Sequence, residues 1–218
     1  MNLQIKHDGF DAIVLDCDGV LLDTNNLKSQ AFRKSLKLYP EQTINAFISY
    51  HEKNNGISRL KKLENFFGET ISKKDTNEIL SSYNKLCEKL YLNCKTSKGY
   101  KYFIQSFFKK KKLFVLSGSD ENELKEAFQK REFSNFFEGI YGAPQKKTDV
   151  LNFLSKNHKI IFLGDSSHDF WSAKKTNTFF IFIRSLSQEK NTLDKLSKKY
   201  SIPIFNNLIE FTTEFIKH

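Results

Sequence analysis

Short, unbroken apolar runs of strand length recur along this chain: AIVL at 12–15, LFVL at 113–116, GIYG at 139–142, IIFLG at 160–164 and FFIFI at 179–183, with a weaker IPIF at 202–205. A strand wetted on one face alternates apolar and polar residues, whereas a run apolar at every position belongs in a sheet covered on both faces. Helical periodicity separates the runs. Tyr100, Phe103, Ile104, Phe107 and Phe108 fall at i, i+3, i+4, i+7 and i+8, one stripe of a helix. From residue 112 onward strand and helix alternate, which predicts an α/β fold: a doubly wound, mostly parallel sheet with helices on both faces.

Residues 24–95 break this rhythm. They contain no convincing strand and at least three helical patterns, the clearest placing Ile79, Leu80, Tyr83, Leu86, Cys87, Leu90 and Tyr91 on one stripe. The expected organisation is a Rossmann-like core of residues 1–22 and 96–218, with an all-helical domain of residues 23–95 set into it after the first strand. The chain has 218 residues, 39% hydrophobic, with 22 Phe, enough for one good-sized core and a smaller insert. Net charge is +10. The excess is mostly Lys spread in small groups, which suits solvated helix faces and a field favouring anionic small molecules. No nucleic-acid module accompanies it, so no nucleic-acid partner is expected. No leader-like segment and no apolar run of about 18 residues is present, so the expectation is a cytoplasmic protein with no membrane partner. Cys17, Cys87 and Cys94 make no metal spacing, and Cys17 reads as a small buried residue.

In an open parallel sheet ligands bind beyond the C-terminal strand ends, so the residues just past each strand test for a site. The first strand runs into Asp16-Cys17-Asp18-Gly19 and the second into Ser117-Gly118-Ser119-Asp120. The third leads to Gly142-Ala143-Pro144-Gln145-Lys146-Lys147, and the fourth to Asp165-Ser166-Ser167-His168-Asp169. A hydroxyl, a lysine and four carboxylates thus converge on one rim. Two carboxylates about 4 Å apart repel by roughly 4 kcal/mol at an effective dielectric of 20. Several together either hold protons or require a cation, and oxygen ligands without a His or Cys cluster favour a hard ion such as Mg2+.

DCDGV, the serine after the second strand, the lysine near the third and GDSSHD, in this order, resemble the four motifs of the haloacid dehalogenase superfamily, and the insert resembles that family's helical cap. The resemblance spans essentially the whole chain. It implies that Asp16 attacks the phosphorus of a phosphomonoester to give an aspartyl-phosphate, and that Asp18 protonates the leaving oxygen and later accepts a proton from water. It further implies that Asp16, Asp18 (through its backbone carbonyl), Asp165 and Asp169 serve Mg2+. Ser117 and Gly118 are implied to bind phosphoryl oxygens. Lys147 is implied to balance the charge on nucleophile and phosphoryl group, chosen over Lys146 because GAPQKK matches the family's glycine-small-proline-x-x-lysine spacing. The dehalogenases of the superfamily lack a counterpart of Asp18, so its presence favours phosphoryl chemistry.

The resemblance also assigns specificity to the insert. NNGISRLKKL at 54–63 is the candidate substrate-contacting element, with Arg59 and Lys62 within one helical turn. Asp23 lies at the hinge, as a helix cap or a substrate contact, and His168 reads as an exposed residue between two motif positions. The expected activity is Mg2+-dependent hydrolysis of a small phosphorylated metabolite (a sugar, polyol, glycolate-like or amino-alcohol phosphate) by a monomer or homodimer. The alternatives are a phosphomutase using the same residues and an inactive binding protein.

Overall fold

The computed structural model describes residues 9–216. Six strands form one parallel sheet: β1 (Ala12–Leu15), β2 (Lys112–Asp120), β3 (Gly139–Ala143), β4 (Ile160–Gly164), β5 (Phe179–Ile183) and β6 (Ile204–Phe205). Their spatial order is β3-β2-β1-β4-β5-β6, and every pairing is parallel. The α/β fold expected from the apolar runs is therefore the fold observed. All four residues of β1 are buried because helices cover both faces. Ile13 and Leu15 point into a core shared with α5 (Tyr100–Phe107), α6 (Glu121–Lys130) and α10 (Leu208–Ile216). Ala12 and Val14 point into another, shared with α7 (Lys147–Ser155), α8 (Ser167–Lys175) and α9 (Lys190–Tyr200). The period of two along a strand is what divides the molecule into these halves.

Strand order reverses at β1, with β2 on one side and β4 on the other. A crevice opens at such a switch point beyond the carboxyl ends of the strands. Register fixes its walls. Leu15 stands beside both Val115 and Leu163, and the Asp16 N–H donates to the Leu163 carbonyl at 2.8 Å. The residues immediately after β1 and β4 consequently emerge side by side.

Four helices stand between β1 and α5: α1 (Asn25–Ser35), α2 (Glu41–Glu52), α3 (Arg59–Phe67) and α4 (Lys73–Asn93). Ile79, Tyr83, Cys87 and Tyr91 form the buried stripe of α4, and the Tyr83 ring stacks on Phe32 at 3.9 Å between centroids. The two connections to the sheet domain run side by side. Leu22 bridges Thr96, and the Asp23 N–H donates to the Lys95 carbonyl at 2.9 Å. No described helix is long and apolar enough to cross a membrane.

The face carrying α5 and α10 depends on a run of rings. Phe211 is fully buried and contacts Phe103, Phe107, Phe205 and Phe215. Phe211→Ala is expected to lower the unfolding free energy by about 3–5 kcal/mol, read from urea denaturation.

Candidate active site

Three carboxylates meet beyond β1 and β4. Ligand oxygens of Asp16, Asp165 and Asp169 lie within 4.8 Å of one another, and all three residues are buried. The counter-charge among them is Lys147, the first residue of α7, whose Nζ donates to Asp16 Oδ1 at 2.8 Å and to Asp169 Oδ1 at 2.5 Å. Lys146, one residue earlier, is exposed. Asp169 is further fixed as the third residue of α8: its Oδ2 accepts from the N–H and hydroxyl of Ser166 while the Ser166 hydroxyl caps the Asp169 N–H. That capping box orients one oxygen toward the helix and frees the other for the lysine.

Asp165 has no such compensation. It accepts one hydrogen bond from the amide of Asn25 at 2.6 Å, and among the described residues no cation lies within 4.0 Å of it. Gly19, at φ 81°, makes room for it, since a Cβ there would stand 2.0 Å from Asp165 Oδ2. Burial together with the charges of Asp16 and Asp169 pushes the Asp165 carboxyl well above the ordinary range. Burial likewise raises Asp16 to about 7 despite the pull of Lys147, with Asp169 and Asp18 adding to the rise. Burial opposes the charge on Lys147, but Asp16 and Asp169 outweigh it and hold the ammonium protonated. With all three acids ionised, three carboxylates against one ammonium make a buried, all-oxygen cluster two positive charges short of neutral, and that donor set fits a hard divalent ion.

Asp18 belongs to a different set of contacts. Its carboxylate pairs with Lys28 of α1 at 2.6 Å and accepts from the hydroxyls of Thr24 at 2.6 Å and Tyr91 at 2.9 Å, both on the insert. Ser117 and Ser119 of β2 each donate at 3.1 Å. Burial alone would raise its pKa, but Lys28 and the donors hold it well below the usual carboxylate range. Cys17, between the two aspartates, is fully buried, and burial with the Asp18 charge pushes its thiol up, out of the range of a nucleophile.

The insert closes over these groups and leaves a cavity of about 30 Å3, room for a water or two. Gly118 makes the closure tight, since a Cβ there would meet the Gly56 carbonyl at 2.4 Å. Arg59 and Lys62 line the cavity from α3, and Arg59 is paired across the domains with Glu123 of α6. Asp23 neither caps α1 nor lines the cavity. The turn into α1 presents its neighbours instead, Thr24 to Asp18 and Asn25 to Asp165. His168 is not the exposed residue expected; it is half-buried against Gly56. Lys28, Asn25, Tyr91, Ser119 and His51 are site residues that the sequence motifs did not indicate.

A family model for haloacid dehalogenase-like hydrolases matches residues 13–183, from β1 to the end of β5. The chain belongs to that family. No curated protein sequence matches it. Among solved structures it resembles a haloacid dehalogenase-like hydrolase from Streptococcus pneumoniae at 21% identity and TM-score 0.72, over 95% of this chain and 99% of that one. It resembles a predicted phosphatase from Clostridium acetobutylicum at 18% identity and TM-score 0.76, over 96% and 99%. CbbY from Rhodobacter sphaeroides, solved with phosphate, aligns at 15% identity and TM-score 0.62, over 80% and 86%.

The metal-free protein carries a measurable cost. Asp16 titrates near 7 when folded against a reference of 3.8, and Asp165 is raised in the same sense. The folded state therefore binds these protons more tightly, and the associated stability, full below the reference value, is lost as pH rises through 7. Melting temperature without divalent ions should fall between about pH 5 and pH 8. Mg2+ should restore it, and Asp165→Asn should melt about 2–4 °C above the parent at pH 8 without Mg2+ while responding weakly to the ion.

Proposed function

We propose that this protein is a Mg2+-dependent phosphatase that hydrolyses a small phosphomonoester through an aspartyl-phosphate on Asp16. The observation that carries the proposal is the Asp16 carboxylate held at the switch point by Lys147, beside the uncompensated carboxylate of Asp165. Asp16, Asp165 and Asp169 would hold the ion, with Asp18 contributing its backbone carbonyl. Bound there, Mg2+ would offset the charge of nucleophile and phosphoryl group and draw electron density from phosphorus.

The rest falls to the chain's own groups. One Asp16 oxygen is tied to Lys147, which favours the ionised carboxylate against its burial and leaves the other oxygen to form the new bond to phosphorus as the bond to the leaving oxygen breaks. Lys147 then faces the charge that accumulates between nucleophile and phosphoryl group. Ser117 and the backbone at Gly118 sit beside the carboxylate pair as donors for phosphoryl oxygens. Asp18 serves the leaving group and the water in turn. In the closed arrangement Lys28 holds it ionised, the form that takes a proton from water. A dianionic phosphoryl group competes for Lys28, and the loss of that partner lets Asp18 carry the proton delivered to the leaving oxygen.

Enclosure selects for small substrates. A 30 Å3 cavity admits no phosphomonoester, so the insert opens to load and shuts around its cargo. Asp16→Asn is expected to lower phosphate release from p-nitrophenyl phosphate by at least about a thousandfold with no loss of melting temperature. EDTA should silence the parent enzyme and Mg2+ restore it. Stoichiometric phosphate release without a sugar bisphosphate activator separates hydrolysis from mutase chemistry; turnover by Asp16→Asn, or indifference to EDTA, contradicts the proposal.

A further inference from the structure

Three cations of the insert line the catalytic cavity, and two of them are already paired. Lys28 is taken by Asp18 and Ser119. Arg59 is taken by Glu123 and, at 2.5 Å, by Asn84. Lys62 differs. It is 4% exposed, and among the described residues no carboxylate lies within 4.0 Å of it. Its Nζ meets His51 Nδ1 at 2.7 Å and, at the limit of a hydrogen bond, the His51 carbonyl at 3.5 Å.

An ammonium carries three donors, so at least one proton of Lys62 is unused. With Nδ1 accepting from Lys62, the His51 ring proton lies on Nε2, and that atom is buried without a partner. His51 is 2% exposed and lines the same cavity. Burial and the neighbouring Lys28 charge drive Lys62 down to about 7, and burial with the Lys62 charge lowers His51. An uncompensated buried ammonium detracts from stability, so packing gives no reason for it. It lies on the insert, whereas Lys147 and Ser117 belong to the sheet domain, the side to which the proposed reaction assigns the phosphoryl group.

We infer that the substrate carries, besides the phosphoryl group to be transferred, a second anionic group, a carboxylate or another phosphate, received by Lys62 and His51. This rests on the phosphatase proposal and narrows it: neutral polyol phosphates leave Lys62 unsatisfied, and amino-alcohol phosphates bring an ammonium against it.

The test is a set of phosphomonoesters of equal chain length ending in carboxylate, phosphate, hydroxyl or ammonium, with p-nitrophenyl phosphate alongside, each assayed with Mg2+ for phosphate release. The parent enzyme should prefer one of the two anionic members over the hydroxyl member by at least about tenfold in kcat/KM, and which one identifies the anion. Lys62→Met should shrink that ratio to about twofold or less, chiefly through KM. Lys62→Arg should keep it, and Lys62→Met should melt no lower than the parent. Equal turnover of anionic and hydroxyl members, or equal loss on all substrates in Lys62→Met, overturns the inference while p-nitrophenyl phosphate hydrolysis leaves the phosphatase proposal standing. No phosphate from any compound overturns both.

Discussion

The contact on which the site depends is the ammonium of Lys147 between Asp16 and Asp169. Buried carboxylates a few ångströms apart repel strongly at low dielectric, and without a cation between them the ends of β1 and β4 could not remain adjacent with both acids charged. The lysine solves this only in part. It satisfies one oxygen of each partner, Ser166 satisfies the other oxygen of Asp169, and Asp165 is left with an amide alone. The fold thus tolerates a deficit of positive charge at one point, beside Asp16, where a divalent ion would serve the proposed reaction.

The insert shows the opposite imbalance. Where the core leaves a carboxylate without a cation, the insert leaves a cation, Lys62, without a carboxylate. The two do not pair, although Asp165 is among the groups that favour the charged form of Lys62. Keeping them apart costs stability, in the manner of functional sites that retain unsatisfied polar groups. Arg59 and Glu123 have the complementary job. Their pairing joins α3 to α6, and with Asn25 and Tyr91 reaching down to Asp165 and Asp18 it holds the insert shut over groups that would otherwise open to water.

The strands and the convergence of acids and lysine beyond them were legible in the sequence because they obey local rules. An apolar run with no polar interruption specifies a strand covered on both faces, and the topology of a parallel sheet then places its C-terminal ends on one rim. Asp16, Asp165, Asp169 and Lys147 follow from that placement. The insert's contribution was harder to read because its functional atoms sit at the tips of residues whose bodies are core. Tyr91 fits the apolar stripe of α4, and only its hydroxyl reveals a second role at Asp18. Lys28 and Asn25 lie on a helix in which polar residues outnumber apolar ones, so neither stands out. Asp23 was the conspicuous acid at the hinge, yet the geometry of the entry into α1 gives the contacts to the two residues after it. No pattern in one dimension encodes that rotation.

These contacts also make closure and chemistry parts of one electrostatic problem. Asp18 is ionised in the closed state because Lys28 arrives with the insert, so any movement of α1 away from β1 removes the main cause of its low pKa. The proton affinity of Asp18 is then a function of insert position and of whatever competes for Lys28. In the proposed reaction a phosphoryl dianion that claimed the lysine within the closed site would leave the burial of Asp18 unopposed and let it carry a proton, whereas opening would remove the burial together with the lysine. The same helix brings Asn25 to Asp165, so one rigid element touches both the acid and the bare carboxylate of the cluster. If the proposed function holds, an anionic substrate would change the energetics of closure, because Lys28 and Lys62 are buried with the insert shut and an anion between them would offset their charge.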